Sequence, residues 1–243
     1  SKAERVVGEL KEETGQSNIS FVQADTGDLS AIRRIAEELK AKHATIDVLI
    51  HNAGALDDER SESPDGIEQT IASQVVGPFL LTHLLLPQLT AKPSRVLWVS
   101  SGGMYSEPLN VEHLEMPEEH YNGVTAYARA KRAQVTLCEM MAERLDGVVV
   151  HAMHPGWADT PGVARSLPTF KKVVGPLLRT PEDAADTLVW LAADDEAPLQ
   201  ANGKFWLDRR VRPIHRLGKT RRSDTAEERA KRWAGAMARS VLG

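Results

Sequence analysis

Apolar runs of strand length, separated by segments of helix length, constrain this chain more than any other feature. The runs are Ile19–Ala24, Asp47–His51, Val96–Ser100, Val148–Met153 and Lys204–Leu207. They do not alternate cleanly between apolar and polar residues, so they are expected to be strands buried on both faces. Between and around them lie helix-length stretches at 2–14, 28–43, 64–91, 124–146 and 181–193. Strand alternating with helix predicts a parallel sheet with helices on both faces, a doubly wound α/β fold. Two helix starts carry their own signal. Ser63 precedes Pro64, and Thr180 precedes Pro181 with Asp183 at the third position, each reading as an N-cap followed by a first-turn proline. A further helix is expected at about 224–240, with Glu227 and Glu228 in its first turn.

Bulk properties narrow the function classes. A chain of 243 residues with 42% hydrophobic content can bury one sizeable core. The net charge of −4 gives no global attraction to nucleic acid or an anionic membrane. The longest apolar stretch, Val75–Pro87, holds 13 residues and is broken by Gly77, Pro78 and His83, too short for a membrane span. A lone cysteine, Cys138, excludes an internal disulfide framework and suits a reducing, cytoplasmic setting. From Asp208 onward there are 11 Lys/Arg against 4 Asp/Glu. The expected organisation is therefore one domain over 1–212 and a basic C-terminal extension over 213–243. No His, Cys or acidic cluster has metal-like spacing, and no metal is expected.

The chemistry concentrates where the apolar runs end. His51-Asn52-Ala53-Gly54 follows one run, Ser100-Ser101-Gly102-Gly103 another, and His154-Pro155-Gly156-Trp157 a third. Tyr127 and Lys131 stand four residues apart in Thr-Ala-Tyr-Ala-Arg-Ala-Lys. On a helix they share one face. An ammonium beside a phenol favours the phenolate and pulls the tyrosine pKa down from about 10. Tyr127 thereby becomes a candidate general acid/base, tuned by Lys131. Ser101, just past its strand, can polarise and position a carbonyl oxygen.

Taken together these motifs resemble the short-chain dehydrogenase/reductase superfamily. Ser100–Met104, Met153–Val163 and Gly203–Arg209 are most similar to its member-12 group. The resemblance runs from Lys2 to about Arg212. It implies a Rossmann-like sheet, NAD or NADP as cofactor, a small-molecule alcohol or carbonyl substrate, and a homodimer or homotetramer that packs the helices at 64–91 and 124–146. Ser101, Tyr127 and Lys131 match the family's catalytic residues. Lys131 and Tyr127 would also contact the nicotinamide ribose. The Asn52-Ala53-Gly54 turn would flank the adenine ribose. Asp25 would contact the adenine, or else cap the helix at 28–43. Pro155, Gly156 and Thr160 would border the nicotinamide, with Thr160 bonding its carboxamide. Met104, Met153 and Trp157 are candidate substrate-side walls, with core packing the alternative for Met153 and Trp157. The 26 residues from Ser101 to Tyr127 match the retinol-dehydrogenase-like branch and are expected to build part of a substrate lip.

There are departures from the family pattern. His51 stands where Asn is usual. Gln74 stands where the family has a catalytic Asn that widens its helix and whose backbone carbonyl holds a water linked to the lysine. The 17 glycines form neither G-x-x-x-G-x-G nor G-x-G-x-x-G, the turns that cradle a pyrophosphate. The sequence opens inside a helix that follows the family's second strand, so the first βαβ unit is expected to be missing. The functional expectation is an oxidoreductase moving a hydride between NAD(P) and an alcohol/carbonyl pair. The alternative is a non-catalytic binding protein or inactive remnant on the same frame. Residues 1–243 alone are predicted to bind dinucleotide weakly and to self-associate. Calorimetric titration of NADH and NADPH into this chain checks it, and tight stoichiometric binding would contradict it.

Overall fold

A computed structural model describes residues 1–157, 178–221 and 229. Its sheet has the order β1-β2-β3-β4-β5, with β1 at Val48–His51, β2 at Ser94–Val99, β3 at Val148–Met153, β4 at Lys204–Leu207 and β5 at Arg210–Arg212. The first four strands pair in parallel and β5 pairs antiparallel to β4. The doubly wound α/β architecture read from the apolar runs is therefore present. The β4–β5 turn is formed by Asp208 and Arg209, both with φ near +55°. It was not legible in advance, because such a tight hairpin usually announces itself with Asn-Gly or Asp-Gly.

The strands alternate their side chains between two cores, as pleating requires. Val96 and Trp98 of β2, Val148, Val150 and Ala152 of β3, and Phe205 of β4 enter the larger core. There they meet α2 (Leu29–Lys42), the helical stretch from Gln69 to Thr90, and α6 (Gly123–Ala142). Leu97, Met153 and Trp206 point the other way, against Leu191 of α7 (Pro181–Ala193). A short helix, α8, lies at Gly218–Arg221. Side chains on both sheet faces are thus buried, which explains runs with no polar alternation. Ile214, just past β5, packs against the larger core. The helix expected at 224–240 lies outside the described residues, apart from Arg229. Among the described residues no helix is long and apolar enough to cross a membrane.

Two expectations are corrected. Ile19–Ala24 is not a strand. It has no neighbouring strand in the sheet, and an apolar run cannot form a ladder without a partner to share N–H and C=O groups. Phe21 and Val22 stay exposed, and helix α1 (Lys2–Thr14) buries none of its residues. The helix read as 64–91 is also not continuous. Ser63 caps no helix; it closes a small turn, its backbone N–H bonded to the Ile67 carbonyl at 2.8 Å. The true cap is Glu68, whose carboxylate accepts from the backbone N–H groups of Thr70 and Ile71. From there run α3 (Gln69–Ile71), a π-helical segment (Ala72–Val76), α4 (Gly77–Leu84) and α5 (Leu86–Thr90).

Gly77, at the start of α4, lies against the backbone of residue 26, and a Cβ there would overlap the Thr26 carbonyl oxygen. This close approach seats the segment before α2 under the π turn. Gly77→Ala is expected to destabilise the chain by about 1–3 kcal/mol through overpacking, read as a lower urea midpoint with an unchanged slope.

Candidate active site

A parallel sheet delivers the turns after its strands to one edge, and that edge is where the polar motifs meet. Asn52–Gly54 follows β1, Ser100–Gly102 follows β2, and His154–Gly156 follows β3. Helix α6 runs back across the sheet before β3, so its N-terminal half, carrying Tyr127 and Lys131, lies over the same edge. Asn122 caps α6, its side-chain oxygen accepting from Thr125 N at 2.9 Å. A Cβ at Gly123 would overlap the Asp57 carbonyl, so glycine lets the first turn of α6 press onto the loop after β1.

Tyr127, Lys131 and Ser101 converge. The Ser101 hydroxyl lies beside the Tyr127 phenol, close enough to pull its pKa down. The Lys131 ammonium lies 5.3 Å from the Tyr127 ring centroid and donates to the Val99 carbonyl at the end of β2, at 3.0 Å. Ser100 contributes differently: its hydroxyl donates to the Lys131 backbone carbonyl at 2.9 Å and pins the helix to the strand end. Ser101, not Ser100, is the serine that reaches the phenol.

Electrostatics here differ from the sequence expectation. Burial holds the Tyr127 phenol above its ordinary value, and only the nearby Ser101 hydroxyl pulls it down. Burial also lowers Lys131, to about 7. The reason is that Lys131 is itself almost fully buried. Desolvation weakens its charge, so the charge does not depress the phenol. At neutral pH Tyr127 is an un-ionised hydroxyl beside a lysine close to its midpoint.

Gln74 lies in the π segment, so the helix is widened where the resemblance placed the widening. Its backbone carbonyl accepts the Gln134 side-chain amide at 2.7 Å. Gln134 was not singled out from the sequence, because a polar residue inside α6 belongs to no motif. His51, the other departure, is buried beneath the sheet edge. Its Nε2 bonds the Thr82 hydroxyl at 2.7 Å, and that hydroxyl donates to the Pro78 carbonyl at 3.0 Å. The ring sits 4.4 Å from the Trp98 ring, and burial lowers its pKa to about 3. His51 is thus a neutral tie between β1 and α4.

The remaining candidates separate. Asn52, Ala53 and Gly54 are exposed at the edge. Asp25 accepts from Gly27 N at 2.7 Å, while the cap of α2 is Asp28, which accepts from Ser30 and Ala31; the capping alternative for Asp25 is therefore excluded. Gly156 adopts φ +82° directly after Pro155, with the Arg179 side chain against it. Trp157 is exposed and meets the His154 ring edge-on at 6.4 Å. Met104 and Met153 do not line an open wall. Each is at most 1% exposed, Met104 in the larger core and Met153 in the smaller, because their positions in the turn and strand point into packed layers. Thr160 lies outside the described residues. His154, which the motif includes without a role, rests its ring on Gly102, where a Cβ would stand 2.9 Å from Nε2.

The chain matches the short chain dehydrogenase family over residues 1–169. It belongs to that family. Human dehydrogenase/reductase SDR family member 12 is 38% identical over 227 residues, covering 93% of this chain and 71% of that protein. A structure from Mycobacterium paratuberculosis superposes with a TM-score of 0.70 at 27% identity, over 96% of this chain and 80% of that one. A short chain dehydrogenase from Escherichia coli, complexed with NADPH, gives 0.65 at 22% identity, over 83% and 79%. The short-chain dehydrogenase family is one of NAD(P)-dependent oxidoreductases.

Lys131 also makes stability depend on pH. Its folded pKa of about 7 lies below the unfolded 10.5, so the unfolded state binds the extra proton between those values and stability rises with pH across that window. Against Lys131→Met, which lacks the proton, the native chain should gain about 1.4 kcal/mol per pH unit at most between roughly pH 7 and 10. Denaturant melts of both proteins at pH 6, 8 and 9.5 measure it.

Proposed function

We propose that this chain catalyses hydride transfer between NAD(P) and a small alcohol/carbonyl pair, with reduction of the carbonyl as the direction its resting protonation favours. The observation that carries the reading is the convergence of Ser101, Tyr127 and Lys131 at one strand edge. The nicotinamide supplies the hydride when bound. Its ribose end fits what is here: Lys131 reaches the edge with its ammonium, and the Asn52–Gly54 turn is small and open beside it. Pro155 and Gly156 would border the nicotinamide. A phosphate-cradling glycine turn is absent from the sequence, so the fit concerns this end alone.

Ser101 would donate to the substrate carbonyl oxygen and hold it beside the phenol. Tyr127, protonated at neutral pH, would give that oxygen its proton. The phenolate left behind would be steadied by Lys131 in its charged form. Charge on Lys131 is thus required in the step although it does not acidify the resting phenol. The lysine also borders the Gly54 turn, from which it can take a proton arriving from outside. In a reducing, cytoplasmic setting the single thiol would stay reduced; Cys138 is buried in α6.

NAD(P)H oxidation with a panel of carbonyls at saturating cofactor tests this. Tyr127→Phe is expected to lose about two to four orders of magnitude in kcat/KM, and Ser101→Ala about two to three. The reductive rate should fall as pH rises through about 7, where Lys131 loses its charge. A Tyr127→Phe protein as fast as the parent overturns the mechanism. Cofactor binding without turnover of any carbonyl would point to a non-catalytic binding protein.

A further inference from the structure

The strip of chain that leaves the catalytic edge after β2 runs toward positive charge that no carboxylate matches. Ser101 caps a single 3-10 turn, Gly102–Ser106, its Oγ accepting from Gly103 N at 3.1 Å. Ser101, Gly102, Gly103 and Tyr105 are all partly exposed, while Met104 is buried. The two glycines add no side chain, so the strip is a floor leading from the reacting hydroxyls to Tyr105. A rise of roughly 2 Å per residue makes that floor about 8 Å long.

Tyr105 is fixed at its far end. Its hydroxyl donates to the Pro213 carbonyl at 2.6 Å, and its ring meets Phe205 edge-on at 6.1 Å. The exposed Arg216 guanidinium lies over the same ring, 4.9 Å from its centroid. The segment before it is anchored as well, since the Ile214 carbonyl accepts from Arg132 Nη1 at 2.7 Å. A guanidinium stacked on an aromatic face keeps its N–H edge free to meet a ligand. The neighbouring charges are already shared out. Arg179 grips Asp208 with both Nη atoms, and Arg212 Nη2 lies 3.9 Å from the same carboxylate. Glu107, two residues past Tyr105, is held by Arg129 at 3.5 Å. Among the described residues no carboxylate pairs with Arg216. His154, whose ring rests on Gly102, feels this field: burial first, then Arg179, lower it to about 4, with Asp208 opposing and Arg216 lowering it further.

We propose that Arg216, stacked on Tyr105, binds a carboxylate carried by the substrate, so that the preferred substrate is an oxo acid whose carboxylate lies about 8 Å from the reacting carbonyl. The guanidinium fork offers two parallel N–H groups to two carboxylate oxygens. Ser101 would hold the carbonyl at one end of the floor and Arg216 the carboxylate at the other. Arg179 and Arg212 against Asp208 leave a further positive charge nearby, which favours an anion over a neutral chain. Arg216 touches no reacting atom; its part is to select the substrate.

The proposal deepens the oxidoreductase reading and rests on it for the reaction, but half of its test needs no turnover. The straight-chain ω-oxo carboxylate of eight carbons spans roughly the required distance. Its binding to the full chain is measured without cofactor by saturation-transfer NMR, beside that of its methyl ester. The acid should bind about tenfold more tightly than the ester, and Arg216→Gln should weaken the acid by about five- to tenfold. Arg216→Lys, which keeps the charge and loses the fork, should fall between. Arg210→Gln, which removes an exposed charge from β5, should stay within about twofold of the parent. In turnover, the acid-to-ester ratio of kcat/KM should be about tenfold in the parent and close to one in Arg216→Gln. Equal binding of acid and ester by the parent would overturn the proposal. So would an equal loss in Arg210→Gln, which would mark a diffuse field rather than a site. If Arg216→Gln raises the KM for NAD(P)H and leaves the acid-to-ester ratio alone, the guanidinium serves the cofactor and the proposal falls. If the acid binds as expected while no carbonyl is turned over, the carboxylate site stands and the oxidoreductase reading fails.

Discussion

The burial of one cation organises this site. Lys131 is taken out of water at the C-terminal edge of a parallel sheet and held there by the Val99 carbonyl. Burying an ammonium is costly, and the surrounding features soften that cost without removing it. Ser100 fastens the helix turn that carries the lysine. The π segment brings Gln74 alongside, and Gly54 leaves room between them. The lysine ends poised between its two protonation states near neutrality, which is the condition under which a small change in its surroundings alters its charge.

Backbone close approach makes that burial possible. Gly77 lets α4 press onto the chain before α2, and Gly123 lets α6 press onto the loop after β1. With them, the π turn and the start of α6 close on the sheet edge from two sides. The buried guanidinium of Arg132, one residue beyond the lysine, braces the next turn by donating to the Met104 and Ile214 carbonyls. Polar groups inside this layer bind mostly to backbone carbonyls. A backbone acceptor is fixed in place by secondary structure and cannot reorganise as a side chain would.

His51 shows how a departure from the family pattern is absorbed. An imidazole at the end of β1 has no solvent, so it stays neutral and ties the strand to α4 through Thr82. Gln74 is absorbed in another way. Its helix is widened as the family's asparagine position would be, its carbonyl is occupied by Gln134, and its longer side chain reaches the Ala55 carbonyl. The two departures act on different partners, His51 on α4 and Gln74 on the loop after β1 and on α6.

The sequence by itself determined the α/β class, four of the five sheet strands and the ends of α1, α2 and α7. It also marked Ser101, Tyr127 and Lys131, whose neighbourhood follows from one rule: strand ends of a parallel sheet share an edge, and a helix running back brings its first turns there. It could not determine whether Ile19–Ala24 would pair, because pairing is a property of a neighbour and not of the run. Nor could it show the π turn, the Asp208–Arg209 hairpin, or the burial of Met104 and Met153. The direction of the Tyr127 and Lys131 shifts was likewise decided only by tertiary structure. Spacing along a helix places a charge beside a phenol, but the depth of both below the surface sets which effect wins, and at this depth desolvation outweighs attraction.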